Sequence, residues 1–251
     1  MYLSKIKKIV NITRFYSGNV FRFLSIPFNQ ITISPSEART IFASSFEKSG
    51  WHHIIKTLEE YDLNPNINYK DTTLYLFLKY FRPKSICDLI SNIENQNKLP
   101  LFVYPWGTFK KNEYDTKKDP KKSRFCGPSN DVYIKNHFDH IINLYKSIKI
   151  HGYKPWSRGN GFIGGTILIK KNGDRRFVVL QGNHRMAILS HLNYKLISVR
   201  NIKGYLKKVK EEDLNKFPLV SNRSCSKKTA RNIFFLFFEE QGKHLLKHIK
   251  K

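Results

Sequence analysis

The chain is short of acid: 19 Asp and Glu stand against 45 Lys and Arg in 251 residues, a formal net charge of +26. Self-repulsion on that scale opposes a compact state unless an anionic partner offsets it, which points to nucleic acid, an anionic membrane surface or phosphorylated small molecules. Cysteine is nearly absent too. Cys87, Cys126 and Cys225 are too few and too scattered for a disulfide framework or a zinc pattern, and a reducing cytoplasm is the compartment they fit. No stretch approaches the roughly 20 apolar residues of a transmembrane helix, and no internal repeat recurs. The chain therefore reads as soluble or peripheral. At its start, Lys5, Lys7, Lys8, Arg14 and Arg22 alternate with Ile6, Ile9, Val10, Phe15, Phe21, Phe23 and Leu24. Two readings stand there: a helix on an anionic membrane surface at the inner face, or a basic helix packing on its own domain. Arg14, Gly18 and Arg22 interrupt what an export signal would need as an apolar core.

What is present divides the chain. The length suits one elaborated domain or two small ones. From Ser34 to about Asn97 the signals are helical: Ser34-Pro35-Ser36-Glu37 spells a cap with proline behind it, Ile54, Leu58 and Tyr61 recur at helical spacing, and Thr72, Leu74, Phe77, Leu78 and Phe81 extend the pattern to Pro83. Leu99 to Tyr104 reads as a strand, Thr108 to Lys122 as a surface loop, and Phe138, Ile141, Ile142, Tyr145 and Ile148 as one helical stripe. Thr166 to Lys170 and Arg175 to Leu180 are β-rich runs joined through Asn172-Gly173, a hairpin signal because both turn residues accept positive φ. The expected architecture is α/β: a helical, basic region over residues 1–98, an α/β domain with a small mixed sheet over 99–205, and a basic segment over 206–251 packing on the core. The aromatic run Ile233 to Phe238 is far shorter than a membrane span and reads as buried.

The most informative stretch is Val178-Val179-Leu180-Gln181-Gly182-Asn183-His184-Arg185-Met186-Ala187, a strand, a one-glycine turn and a basic helix start. Gly182 can take backbone angles barred to other residues, and the first unpaired helix N–H groups then face whatever sits beyond the strand end. Arg185 can grip two phosphate oxygens at once, and His184 is a donor whose charge changes near neutral pH. The alternative is a plain structural strand-turn-helix with Arg185 paired to a core carboxylate. A second loop, Ser123-Arg124-Phe125-Cys126-Gly127-Pro128-Ser129-Asn130-Asp131, gathers hydroxyls, a guanidinium and a carboxylate. It reads equally as a second wall of the site or as a turn into the next helix.

The residues QGNHRMAIL, with the short helix and the strand Leu196 to Val199 that follow, resemble the signature of the ParB/sulfiredoxin superfamily over roughly Tyr153 to Ile202. The resemblance implies a nucleotide site at the turn, with Gly182, His184 and Arg185 matching by position. Members include CTP-binding partition proteins, ATP-using sulfiredoxins and free-serine kinases. Asn183 stands where sulfiredoxins have their cysteine, and Gln181 where other members carry an acid. Together with Gly152-Tyr153-Lys154-Pro155 and the second loop, the stretch also looks like ParB-domain proteins associated with surface-glycan biosynthesis.

Three function classes follow. The first is a phosphotransferase using ATP or CTP and Mg2+ on a small hydroxylated metabolite or sugar. Gly182, Asn183, His184, Arg185, Ser123, Arg124 and Ser129 would bind the nucleotide, and Asp131, His184 and Arg124 would act in transfer, with Asp131 or Asp174 orienting magnesium or the accepting hydroxyl. The second is nucleic-acid binding, for which the tail beyond Lys203 lacks a recognition-helix pair, so specific DNA binding is not favoured. The third is a non-catalytic, nucleotide-regulated peripheral membrane protein. Two patterns are set aside. Gly159 to Gly164 spells G-x-G-x-x-G but precedes a strand, which leaves at most a glycine flap over the anion site, and His137 with His140 reads as a surface pair rather than a metal site.

Overall fold

A computed structural model describes residues 30–90, 99–108, 125–155, 161–202 and 205–249. The basic segment up to residue 29, with its membrane-surface reading, lies outside them. Contacts divide the chain into Met1–Ile31 and Thr32–Lys251. The second unit is an α/β structure with a mixed sheet, and it does not part near Leu99.

The strands are β1 (Gln30–Ile33), β2 (Ala38–Arg39), β5 (Ile163–Ile169), β6 (Arg175–Gln181), β7 (Ile197–Asn201) and β8 (Lys208–Lys210), with β3 (Val103–Tyr104) and β4 (Gly107–Thr108) in a separate ribbon. The main order is β1-β7-β5-β6-β2, with β8 also on β5. β5 and β6 are antiparallel, whereas β7 and β8 run parallel to β5 and β2 runs parallel to β6. Ser34 to Glu37 forms only a single 3-10 turn, closed by a hydrogen bond from the Glu37 amide to the Ser34 carbonyl at 3.1 Å, with the Ser34 amide donating to the Glu37 carboxylate at 2.9 Å. The chain then enters β2, because Ala38 and Arg39 pair with Phe177 and Val178. This is where the expectation of an unbroken helical region fails. The strand expected from Leu99 to Tyr104 shrinks to two residues.

The hairpin closes as expected, but Gly173 takes the positive φ of +91° while Asn172 does not. The Gly173 amide donates to the Lys170 carbonyl, and Asn172 Oδ1 accepts from the Asp174 amide, as in a three-residue loop ending in a left-handed residue. Thr166 and Leu168 of β5 and Val178 and Leu180 of β6 meet Tyr104, Trp106 and Phe237 on one face of the sheet. Ile167, Phe177 and Val179 are buried as well. Burial on both faces explains why these strands read as apolar runs rather than alternations.

The helices are α1 (His53–Leu63), α2 (Thr73–Tyr80), α3 (Asp131–His151), α4 (Asn183–His191), α5 (Pro218–Ser221) and α6 (Lys227–Glu239). The stripe Phe138, Ile141, Ile142, Tyr145 and Ile148 is the buried face of α3, and Ile233, Phe234, Leu236, Phe237 and Phe238 that of α6. α4 packs on α1 and α3, and α2 packs on both α1 and α3. The three cysteines are all buried. Among the described residues, no helix is long and apolar enough to cross a membrane.

Candidate functional site

β6 ends at Gln181, and Gly182 turns the chain at φ +89°, ψ 27° before α4 begins. A glycine cap has no side chain to offer, so the first N–H groups of α4 go without a side-chain partner. They border a cavity of about 470 Å3 lined by Gly182, Asn183, His184 and Arg185. The same cavity takes Thr40, Ile41, Phe42 and Ser44 from the chain after β2, His52, His53 and Ile54 from the start of α1, and Tyr133, His137, His140 and Leu144 from α3. Two helix N-termini, those of α1 and α4, therefore converge on one space. Phe42, Phe77, Phe125 and Tyr133 supply an aromatic wall. No Asp or Glu is among the described lining residues.

The histidines set the character of the polar end. His184 Nε2 lies 2.9 Å from His137 Nε2, and His140 stacks edge-on to His184 at 5.6 Å between ring centres. Burial pushes His184 down to about 3, with His137, His140, His52 and Arg185 adding repulsion, and pushes His137 down to about 4, with His140 adding to it. His52, buried, is held at about 3, and His53 falls well below the ordinary range, again chiefly through burial. All four are neutral imidazoles near pH 7. His52 Nδ1 accepts from the Ile54 amide at 3.2 Å, which caps α1 and leaves the ring proton on Nε2. That Nε2 is sealed from solvent without a protein acceptor, and Asn183 Oδ1 is likewise sealed without a donor.

Arg185 is held by its surroundings. Its Nη1 donates to the Gly161 carbonyl, which also accepts from Tyr153 Oη at 2.9 Å. Burial, and Arg200 to a lesser extent, lowers the Arg185 pKa, while Tyr153 opposes the shift. A backbone carbonyl, that of Gly161, is one group that holds this guanidinium.

The expected residues fare differently. Gly182, Asn183, His184 and Arg185 come together on one wall. Ser123 and Arg124 lie outside the described residues, as do Gly159 and Asn160 of the glycine motif, and Gly161 serves as the acceptor for Arg185. Ser129 is buried, its amide donating to the Leu78 carbonyl, and does not line the cavity. Asp131 does not line it either: as the first residue of α3 it accepts from Lys79 Nζ at 2.6 Å and pairs with Lys70 at 3.5 Å, which ties α3 to the α2 region. Those lysines hold its carboxyl below the ordinary range. Asp174 sits exposed in the β5–β6 turn. The surface-pair reading of His137 and His140 needs correction: His140 is exposed at the cavity, but His137 is half-buried and turned onto His184. His52 and His53 carried no signal in the sequence, since only the fold brings the start of α1 against the start of α4.

No family model, curated protein or solved structure matches the chain.

Proposed function

We propose that this cavity binds the phosphate of a nucleotide or of a related phosphorylated small molecule. The observation that carries the reading is the meeting of two helix N-termini and Arg185 in one cavity whose described lining contains no carboxylate. Each N-terminus contributes the equivalent of roughly half a positive charge, so with the guanidinium the wall offers about two positive charges and, among its described residues, nothing of opposite sign. The aromatic wall of Phe42, Phe77, Phe125 and Tyr133 suits a base or another planar group. The volume falls in the range of small-molecule sites. The resemblance of QGNHRMA to the ParB/sulfiredoxin turn supports the same assignment.

The chemistry such a site serves best is phosphoryl transfer from a nucleoside triphosphate to a hydroxyl. The acceptor oxygen bonds to the terminal phosphorus, the bond to the bridging oxygen breaks, the diphosphate leaves, and the imidazole of His140, exposed at the cavity, takes the hydroxyl proton, with His137 and His184 left to the phosphate. Histidine replaces Asp131 in that role, because Asp131 faces two lysines away from the cavity. Among the described residues no group of three or more His, Cys, Asp or Glu is placed to hold a metal. Magnesium therefore fits as an ion carried by the nucleotide's own phosphates, where it would neutralise charge during transfer. A small hydroxylated metabolite or sugar in surface-glycan biosynthesis is the acceptor class this reading favours.

Calorimetric titration with ATP, CTP, GTP and ADP, with and without magnesium at near-physiological salt, tests the proposal. Saturable binding is expected for at least one nucleotide. Arg185→Ala should weaken it by about 10- to 150-fold, the value of about 1.5–3 kcal/mol for a charge-assisted contact. Absence of binding by all four, or an unaffected Arg185→Ala protein, would overturn it.

A further inference from the structure

We infer that the cavity selects a doubly charged terminal phosphate and takes up a proton with it, held between His137 and His184. This rests on the reading of the cavity as a phosphate site and adds the charge form of its ligand.

The geometry carries the argument. Two ring nitrogens 2.9 Å apart can share one hydrogen between them, and with one added proton the pair becomes a cation that donates outward as well. The groups facing the pair are His52 and His53 at the start of α1, His140 and Tyr133 on α3, and Arg185 on α4. None of these carries negative charge near neutral pH, and the buried His52 Nε2–H has no protein acceptor. A proton on the pair in the empty cavity would thus sit beside a guanidinium and two positive helix ends, with no carboxylate among the described lining residues. That is why the imidazoles stay neutral, each well below the ordinary histidine range, burial being the largest cause. An arriving phosphate supplies the missing counter-charge. A terminal phosphate with two negative charges matches Arg185 and the helix ends, and its remaining oxygens reward protonation of the pair. A diester phosphate, with one charge and two blocked oxygens, gains less from both.

Sulfate is the first probe, because it is a dianion with no titration of its own near neutral pH. Calorimetry of the full chain at pH 6.5, in two buffers of different ionisation enthalpy, reads the protons taken up on binding. The expected result is saturable binding, a buffer-dependent heat corresponding to uptake approaching one proton, and affinity that weakens from pH 6 to 7.5, toward tenfold per unit. Methyl phosphate should bind at least tenfold more tightly than dimethyl phosphate. In His137→Gln, checked for folding by circular dichroism, the buffer dependence should disappear and the pH profile should flatten. Where that variant fails to fold, the wild-type buffer comparison decides alone. Binding with equal heats in both buffers and a flat pH profile would overturn the inference while leaving the anion site standing. Equal affinity for the two phosphate esters would overturn the charge selection. Failure of sulfate and both esters to bind at any pH would remove the phosphate reading itself.

Discussion

At the residue scale, Gly182 decides whether the site exists. Its φ of +89° is in the left-handed region that side chains avoid. A Cβ there would lie 3.1 Å from Arg185 Nη2 and 3.2 Å from Ile163 Cγ1, so it would press on the guanidinium it helps to place. Gly182→Ala should cost about 1–2 kcal/mol of stability from backbone strain alone and should weaken phosphate binding as well. Urea unfolding measures the first effect and nucleotide titration the second. Unchanged values in both would show that the turn is not under the constraint described. Arg185 and His184 were legible in the sequence because they sit one helical turn from that glycine. Arg185 could not be read as tied to Gly161, since 24 residues separate donor and acceptor.

At the scale of elements, regular periodicity was a sound guide wherever a helix buries one stripe. α3 and α6 show the faces their spacing implies, with Ser226 capping α6 through the Thr229 amide at 3.0 Å. Phe234 and Phe237, fully buried, close the core against Trp106 and Tyr104. Phe234→Ala should therefore destabilise the protein by about 3–5 kcal/mol, and a loss under 1 kcal/mol in urea unfolding would mean that α6 is peripheral to the core. Periodicity misled where pairing outranks propensity. Ala38 and Arg39 became a strand because β6 offered an edge, and among the described residues Val103 and Tyr104 pair with Thr108 and Gly107 alone.

At the scale of the whole molecule, burying histidines in a basic protein has a consequence for acid stability. Unfolded histidines titrate near 6.5, whereas His52, His137 and His184 in the fold do so only at about 3 to 4. Between those values the unfolded chain binds protons that the folded one refuses. The stabilising contribution is thus complete above about pH 6.5 and is lost as the pH falls toward 4. Asp62 and Glu37, with carboxyls held low, extend the loss at the acid end. Lowering the pH from 7.5 to 5 should cost about 2 kcal/mol for each of these three rings, about 6 kcal/mol together, and an unchanged urea midpoint would contradict their burial. The sequence by itself determined the charge, the hairpin, the glycine turn and the helical stripes, because each is set by neighbours within a few positions. Only the tertiary structure decided that His52, His53, His137 and His140 join His184 around one cavity and that Asp131 is spent on Lys79. Those partners are tens of residues apart, and what joins them is the packing of α1, α3 and α4, which no local pattern encodes.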